Sequence, residues 1–197
     1  MNTLQKIWKG SPNFWTGRKG YKPELIVIHI MDGTLSGTDS WFANPASQVS
    51  AHYGIGKNGE IHQYVKEEDA AWHAGRVDAP SAKLVKTNVN PNLYTIGIEH
   101  EGKSEDKWTN EMKQASASLI REVCQRWQIP IDRNHIIGHC EIYSKKPNCP
   151  SHDKKILSDL VALANQEPDQ QQANPSLVEE GIKKIEEGLD LIKQTLK

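Results

Sequence analysis

The sequence predicts an α/β fold, a mixed central β-sheet flanked by helices, followed by a separate C-terminal amphipathic helix. Three observations carry this expectation. Leu25 to Ile30 (LIVIHI) is a nearly continuous apolar run rich in β-branched residues, the pattern of a central strand buried on both faces. From Thr109 to Trp127 the apolar residues Met112, Leu119, Ile120, Val123 and Trp127 recur at helical spacing. Strands and helices intersperse without a strict βαβ repeat, which favours a mixed sheet covered by helices.

Taken in order, the first strand ends on one polar exception, His29. His52 to Gly56 and Glu60 to Val65 read as two strands around Lys57-Asn58-Gly59, a hairpin signal. Tyr94 to Glu99 (YTIGIE) alternates, with Tyr94, Ile96 and Ile98 expected on one face and Thr95, Gly97 and Glu99 on the other. Thr109 is a natural N-cap for the long helix and Pro130 lies beyond its end. Cys124 sits on that helix's apolar stripe and is expected in the core. Ser151 is expected to cap a further helix carrying Ile156, Leu157, Leu160, Val161 and Ala164.

The composition shifts at Asn165 to Ser176 (NQEPDQQQANPS), polar and proline-bearing, which reads as a linker. The expected organisation is therefore a catalytic domain over 1–164, a linker over 165–176 and an amphipathic helix over 177–197. In that helix Val178, Ile182, Ile185, Leu189, Ile192 and Leu196 keep heptad spacing. A short coiled coil and a homo-oligomer follow, with a lone helix folded back on the domain as the alternative.

With 37% hydrophobic and 25% charged residues and a net charge of -1, the chain has no basic field for nucleic acid. No run approaches the roughly 18 apolar residues of a membrane span. The opening MNTLQKIWKGSPNFW lacks the apolar core of a signal peptide, so synthesis in the cytoplasm is expected. Three cysteines, Cys124, Cys140 and Cys149, are an odd set that argues against a disulfide framework and for a metal-bound thiolate.

The chemistry-bearing residues come from context. His29 ends a buried strand, where a polar ring needs a partner. His139 follows Gly138 after Ile136-Ile137, and Cys149 lies on the loop beyond. Two imidazoles and a thiolate can converge on one metal, and that donor set suits Zn²⁺ with a fourth position left for water.

Several pieces, in this order, resemble the type 2 N-acetylmuramoyl-L-alanine amidases, a family that includes phage endolysins, anhydro-muropeptide amidases and peptidoglycan recognition proteins. They are Ile26-Val27-Ile28-His29, Ser50-Ala51-His52-Tyr53 with Lys57-Asn58-Gly59, Ala71-Trp72-His73-Ala74-Gly75, Ile96-Gly97-Ile98-Glu99, and Gly138-His139 with Cys149-Pro150. The resemblance runs from about Ser11 to Asp153. It implies a zinc held by His29, His139 and Cys149, with Glu99 as proton acceptor and donor. It implies a substrate or oxyanion contact at His73 and a substrate contact at Trp72.

Many members carry a lysine two residues before the third ligand, where this chain has Pro147. Lys146 is the candidate that could reach the site instead. Tyr53 is not expected to act, since the family's tyrosine position holds Ala51. The implied activity is hydrolysis of the bond between N-acetylmuramic acid and L-alanine in peptidoglycan or muropeptides. A phage or prophage endolysin released by a holin is the favoured setting. A cytoplasmic recycling amidase or a non-catalytic peptidoglycan-binding protein is the alternative.

Overall fold

The computed structural model describes residues 4–166 and Lys183. The chain divides into two units, Met1–Asn165 and Gln166–Lys197. The linker and amphipathic helix expected over 165–176 and 177–197 lie outside the described residues, apart from Asn165, Gln166 and Lys183.

In chain order the elements are β1 (Ile7–Trp8), β2 (Phe14–Trp15), β3 (Leu25–Ile30), α1 (Leu35–Ala43), β4 (Tyr53–Ile55), β5 (Ile61–Gln63) and β6 (Ala70–Ala71). They continue with β7 (Thr95–His100), α2 (Asn110–Trp127), β8 (Ile136–Gly138) and α3 (Ile156–Asn165). The main sheet has the order β1-β5-β4-β7-β3-β8, with β2 and β6 forming a small antiparallel pair beside it. Among the described residues only the β4–β5 contact in the main sheet is antiparallel, so the sheet is mixed as expected. The β4–β5 hairpin turns through Lys57-Asn58-Gly59, where Gly59 takes φ +84°, a conformation open to glycine.

The alternation of β3 divides the molecule. Ile26 and Ile28 join Ile96, Ile98, Ile136 and the apolar faces of α2 and α3 in the largest core cluster. Leu25 and Val27 point the other way, against Tyr94, Ala74, Ile137 and Ile142. One face of the sheet is thus covered by two helices and the other largely by loops. Those loops can be shaped for purposes other than packing. Cys124 is buried in the helical core, as expected.

Two expectations are corrected. Tyr94 does not share a face with Ile96 and Ile98: it closes the turn Pro91–Leu93 with φ −127° and ψ 15°, and the strand begins at Thr95. Ser151 does not cap α3, which begins at Ile156; its hydroxyl accepts from Asp153 N at 3.1 Å in the preceding turn. That turn satisfies donors early and delays the helix. Asn165, placed in the linker by composition, ends α3, donating to Ile131 O and Val161 O.

Thr109 caps α2 by accepting from Met112 N at 3.1 Å, and its hydroxyl also donates to Lys57 O at 2.5 Å. It therefore ties the long helix to the β4–β5 turn. Thr109→Ala should cost about 1–2 kcal/mol, the upper part of the range for a lost cap. Urea unfolding of both proteins checks this, and an unchanged midpoint would remove the tie.

Candidate metal centre

The central strands place their functional residues at one edge. β3 and β7 pair in parallel over their whole length, so His29 lies directly opposite Glu99. Gly54 of β4 faces Glu99 from its other side. Ile28 pairs with Gly138 of β8, which puts His139 just past that strand's end at the same edge. Cys149 arrives on the loop beyond, tied to the turn at His139 by Cys140 N donating to Cys149 O at 3.0 Å. All these residues lie at the carboxyl ends of parallel strands, where open α/β sheets build their sites.

The Nδ1 atoms of His29 and His139 are 3.2 Å apart. With Cys149 Sγ included, one ligand atom from each of the three residues lies within 4.8 Å of the others. Ligand nitrogens at about 2.0–2.1 Å from a tetrahedral Zn²⁺ stand about 3.3 Å from each other, so the spacing of the two imidazoles fits that ion. The donor set fits it as well. Cys140, next to His139, is not part of the group.

Burial tunes the cluster in two directions. It holds His29 well below the ordinary histidine value, with His139 and His73 adding to the effect. It also lowers His139 to about 4, helped by Lys146, and His73 to about 3, helped by His139 and Arg18. The imidazoles are therefore neutral at physiological pH, the form that can bind a metal. The same burial pushes the Cys149 thiol up to about 12, with Glu99 adding to it. It pushes the Glu99 carboxyl up to about 8, against an opposing pull from Lys146. Glu99 Oε2 is buried with no hydrogen-bond partner among the described residues.

The site opens into a cleft of about 410 Å³ lined by His29, Glu99, His139, Lys146 and Cys149, with Trp41 and Trp72 on its walls. A second hollow of about 660 Å³ adjoins it and shares Trp72, His73, His139 and Lys146. The Trp72 indole N–H is buried without a partner among the described residues, and the ring leans on Trp15 at 5.8 Å. Lys146 is exposed, makes no hydrogen bond from its ammonium among the described residues, and has Pro147 after it on the cleft rim. Tyr53 points into the opposite side of the sheet and donates to Glu67 at 2.6 Å.

His73 has both ring nitrogens occupied. Nδ1 meets His29 Nε2 at 3.0 Å and Nε2 meets Thr95 Oγ1 at 3.1 Å. Its main chain is pinned as well, because Asn92 Oδ1 accepts from His73 N and Ala74 N at 3.1 and 2.7 Å. The sequence did not single out this support, nor His52, Arg18 and His100. His52 Nδ1 accepts from Gly97 N at 3.0 Å, and the buried Arg18 reaches His52 and the carbonyls of Asn92, Leu93 and Thr95. His100 donates to His29 O at 3.1 Å and stacks on Trp108. A polar residue in an apolar strand is the signal that could have flagged His100.

These features define an α/β protein that presents a histidine–histidine–cysteine group and a buried carboxyl at the ends of its central strands. The chain belongs to the N-acetylmuramoyl-L-alanine amidase family, whose model matches residues 19–152. N-acetylmuramoyl-L-alanine amidase A of Achromobacter lyticus is 39% identical over 127 residues, 62% of this chain and 63% of that protein. The 1,6-anhydro-N-acetylmuramyl-L-alanine amidase AmpD of Haemophilus influenzae is 35% identical over 50% of each chain. AmpD of Salmonella typhimurium is 30% identical over 79% of this chain and 89% of its own. The chain thus spans less than two thirds of the Achromobacter and Haemophilus proteins.

Among solved structures, a selenomethionine AmpD derivative superposes with a TM-score of 0.63 at 26% identity, over 81% of this chain and 95% of that one. A mutant endolysin from Bacillus subtilis gives 0.59 at 22% identity, over 82% and 99%, and shares the fold.

The raised Glu99 value has a consequence for stability. A folded-state pKa of about 8 lies above the ordinary 4.5, so ionisation penalises the fold from pH 4.5 upward and the penalty levels off above 8. In the metal-free chain Glu99→Gln should therefore match the parent in acid and gain on it as pH rises. At pH 8 the gain should be at least about 2–4 °C in Tm, the value of about 1 kcal/mol at this size. A Tm difference that stays flat across pH 4 to 8 would contradict the burial effect.

Proposed function

We propose that this chain is a zinc-dependent hydrolase that cleaves the amide bond between N-acetylmuramic acid and L-alanine in peptidoglycan. The observation that carries the reading is the pairing of His29 with Glu99 at the sheet edge, beside His139 and Cys149. A candidate metal-ligand group and a buried carboxyl whose Oε2 has no hydrogen-bond partner among the described residues share one cleft. Family membership and the names of the relatives support the bond specified.

His29, His139 and Cys149 would hold the ion. Bound there, Zn²⁺ supplies Lewis-acid polarisation of a carbonyl and acidifies water. Glu99 takes a proton from the attacking water and delivers it to the leaving amine of alanine. A carboxyl lining the same cleft as the ligand group, with no other hydrogen-bond partner for its Oε2 among the described residues, is free to accept and return that proton. Lys146, whose charge already bears on His29, Glu99, His139 and Cys149, stands on the cleft rim to stabilise the oxyanion in place of a lysine at Pro147. Trp72 offers a ring face to the substrate from the wall.

The setting we favour is a phage or prophage endolysin reaching the wall after release by a holin. The layout of a catalytic unit, a polar linker and a heptad-bearing tail supports it, since self-association through such a tail would raise avidity for a repetitive wall. A muropeptide-recycling role is favoured by the AmpD of Salmonella typhimurium, 89% of whose length is matched.

Zinc analysis and muropeptide mass spectrometry on variants test the chemistry. His29→Ala should lose both metal and activity. Glu99→Ala should keep the metal and lose about 10²–10⁴-fold in rate. Lys146→Ala should keep the metal and lose about 10²–10³-fold. A fully active Glu99→Ala would sink the assignment of the carboxylate.

Digestion of intact cell walls against soluble anhydro-muropeptides tests the setting. Wall lysis is the expected result, and activity confined to the soluble substrate would move the protein to recycling.

A further inference from the structure

We infer that the Pro91 carbonyl, acting through Thr95 and His73, dictates which nitrogen of His29 carries its proton and so leaves Nδ1 free to bind the metal. His73 and Thr95 are then positioning residues for the ligand group. The inference rests on the proposed role of His29, His139 and Cys149 as the ligand group.

The chain of hydrogen bonds starts at an atom that can only accept. Thr95 Oγ1 donates its single proton to Pro91 O at 2.8 Å. Toward His73 Nε2, 3.1 Å away, the same oxygen can therefore only accept, so Nε2 carries the proton of the neutral ring. His73 Nδ1 is then bare and accepts from His29 Nε2 at 3.0 Å. With its proton on Nε2, His29 presents a bare Nδ1 to His139 Nδ1 at 3.2 Å. Each link removes one choice from the next.

The surroundings hold this order in place. Asn92 pins the backbone at His73, as described above, so the ring cannot slide away from Thr95. Gly97, one position along the same strand face from both Thr95 and Glu99, makes room for the ring: a Cβ there would come within 2.5 Å of it. His139 has no comparable support. Among the described residues its only hydrogen-bonding ring contact is the one with His29, so its tautomer is not dictated from behind. The outer partners of a ligating histidine set ring orientation and basicity, and their loss costs roughly 10–100-fold in metal affinity.

The test uses the full chain in two ways. In the zinc-free protein labelled with ¹⁵N at histidine, two-bond ¹H–¹⁵N spectra should show His29 and His73 protonated at Nε2 and bare at Nδ1. Thr95→Val, which keeps shape but removes the acceptor, should bring mixed tautomers to His73 and His29. Chelator competition should then show zinc affinity falling roughly 10–100-fold in His73→Leu and by a smaller factor in Thr95→Val. His73→Asn, whose amide oxygen can accept from His29 Nε2, should recover most of the loss.

Zinc-free melting curves establish that each variant is folded; should His73→Leu fail to fold, the parent spectra and Thr95→Val decide. A parent His29 protonated at Nδ1, or zinc affinity unchanged in Thr95→Val and His73→Leu, overturns the inference. A parent that binds no zinc but shows the expected tautomers overturns the ligand reading and upholds the order of the hydrogen bonds.

Discussion

The site depends on one constraint, the parallel pairing of β3 with β7 in a register that sets His29 against Glu99. Both strands are buried almost throughout, so their side chains have no latitude to turn toward solvent. Parallel strands need long crossovers, and these carry α1, the hairpin, and the Trp72 to Asn92 loops across the sheet face. The crossover loops then form the walls of the cleft. A slip of one residue in either strand would turn its own His29 or Glu99 into the helical core and bring isoleucines to the cleft, which couples the integrity of the site to the core packing.

Burial at this edge acts on the residues unequally. It keeps His29, His52, His73 and His100 neutral, so four imidazoles gather without mutual repulsion. It acts against Cys149 and Glu99, whose useful forms are charged. A divalent cation reverses that second effect, because a coordinating thiol is deprotonated outright. Neutral imidazoles and two acidic groups that burial holds protonated are the arrangement a bound cation would favour.

Much of this was legible in the residues. The run at Leu25–Ile30 and the period of Asn110–Trp127 are strong because each obeys one periodicity over its full length. β1, β2 and β6 have two residues each and carry no period to detect. α1 was missed because its sequence, LSGTDSWFA, buries only Leu35, Thr38 and Phe42 and shows no apolar stripe. His29, His139, Cys149 and Glu99 could be named from motif order, and the geometry brings the first three within ligand distance. The support behind them was not legible: Thr95 and His73 meet only through the fold, and a threonine in a strand looks like any β-branched residue.

The Pro91 carbonyl also bears on how the site could be mapped or redesigned. It belongs to the main chain, so no exchange of side chain removes it. A survey of substitutions would register Thr95 and His73 and stop one atom short of the origin. Reaching that atom requires chemical synthesis, replacing the amide at this peptide unit by an ester or thioamide. Conversely, a designer transplanting the histidine–histidine–cysteine group to another scaffold would have to carry over the turn at Pro91–Leu93, a piece of backbone that a list of those three residues does not contain.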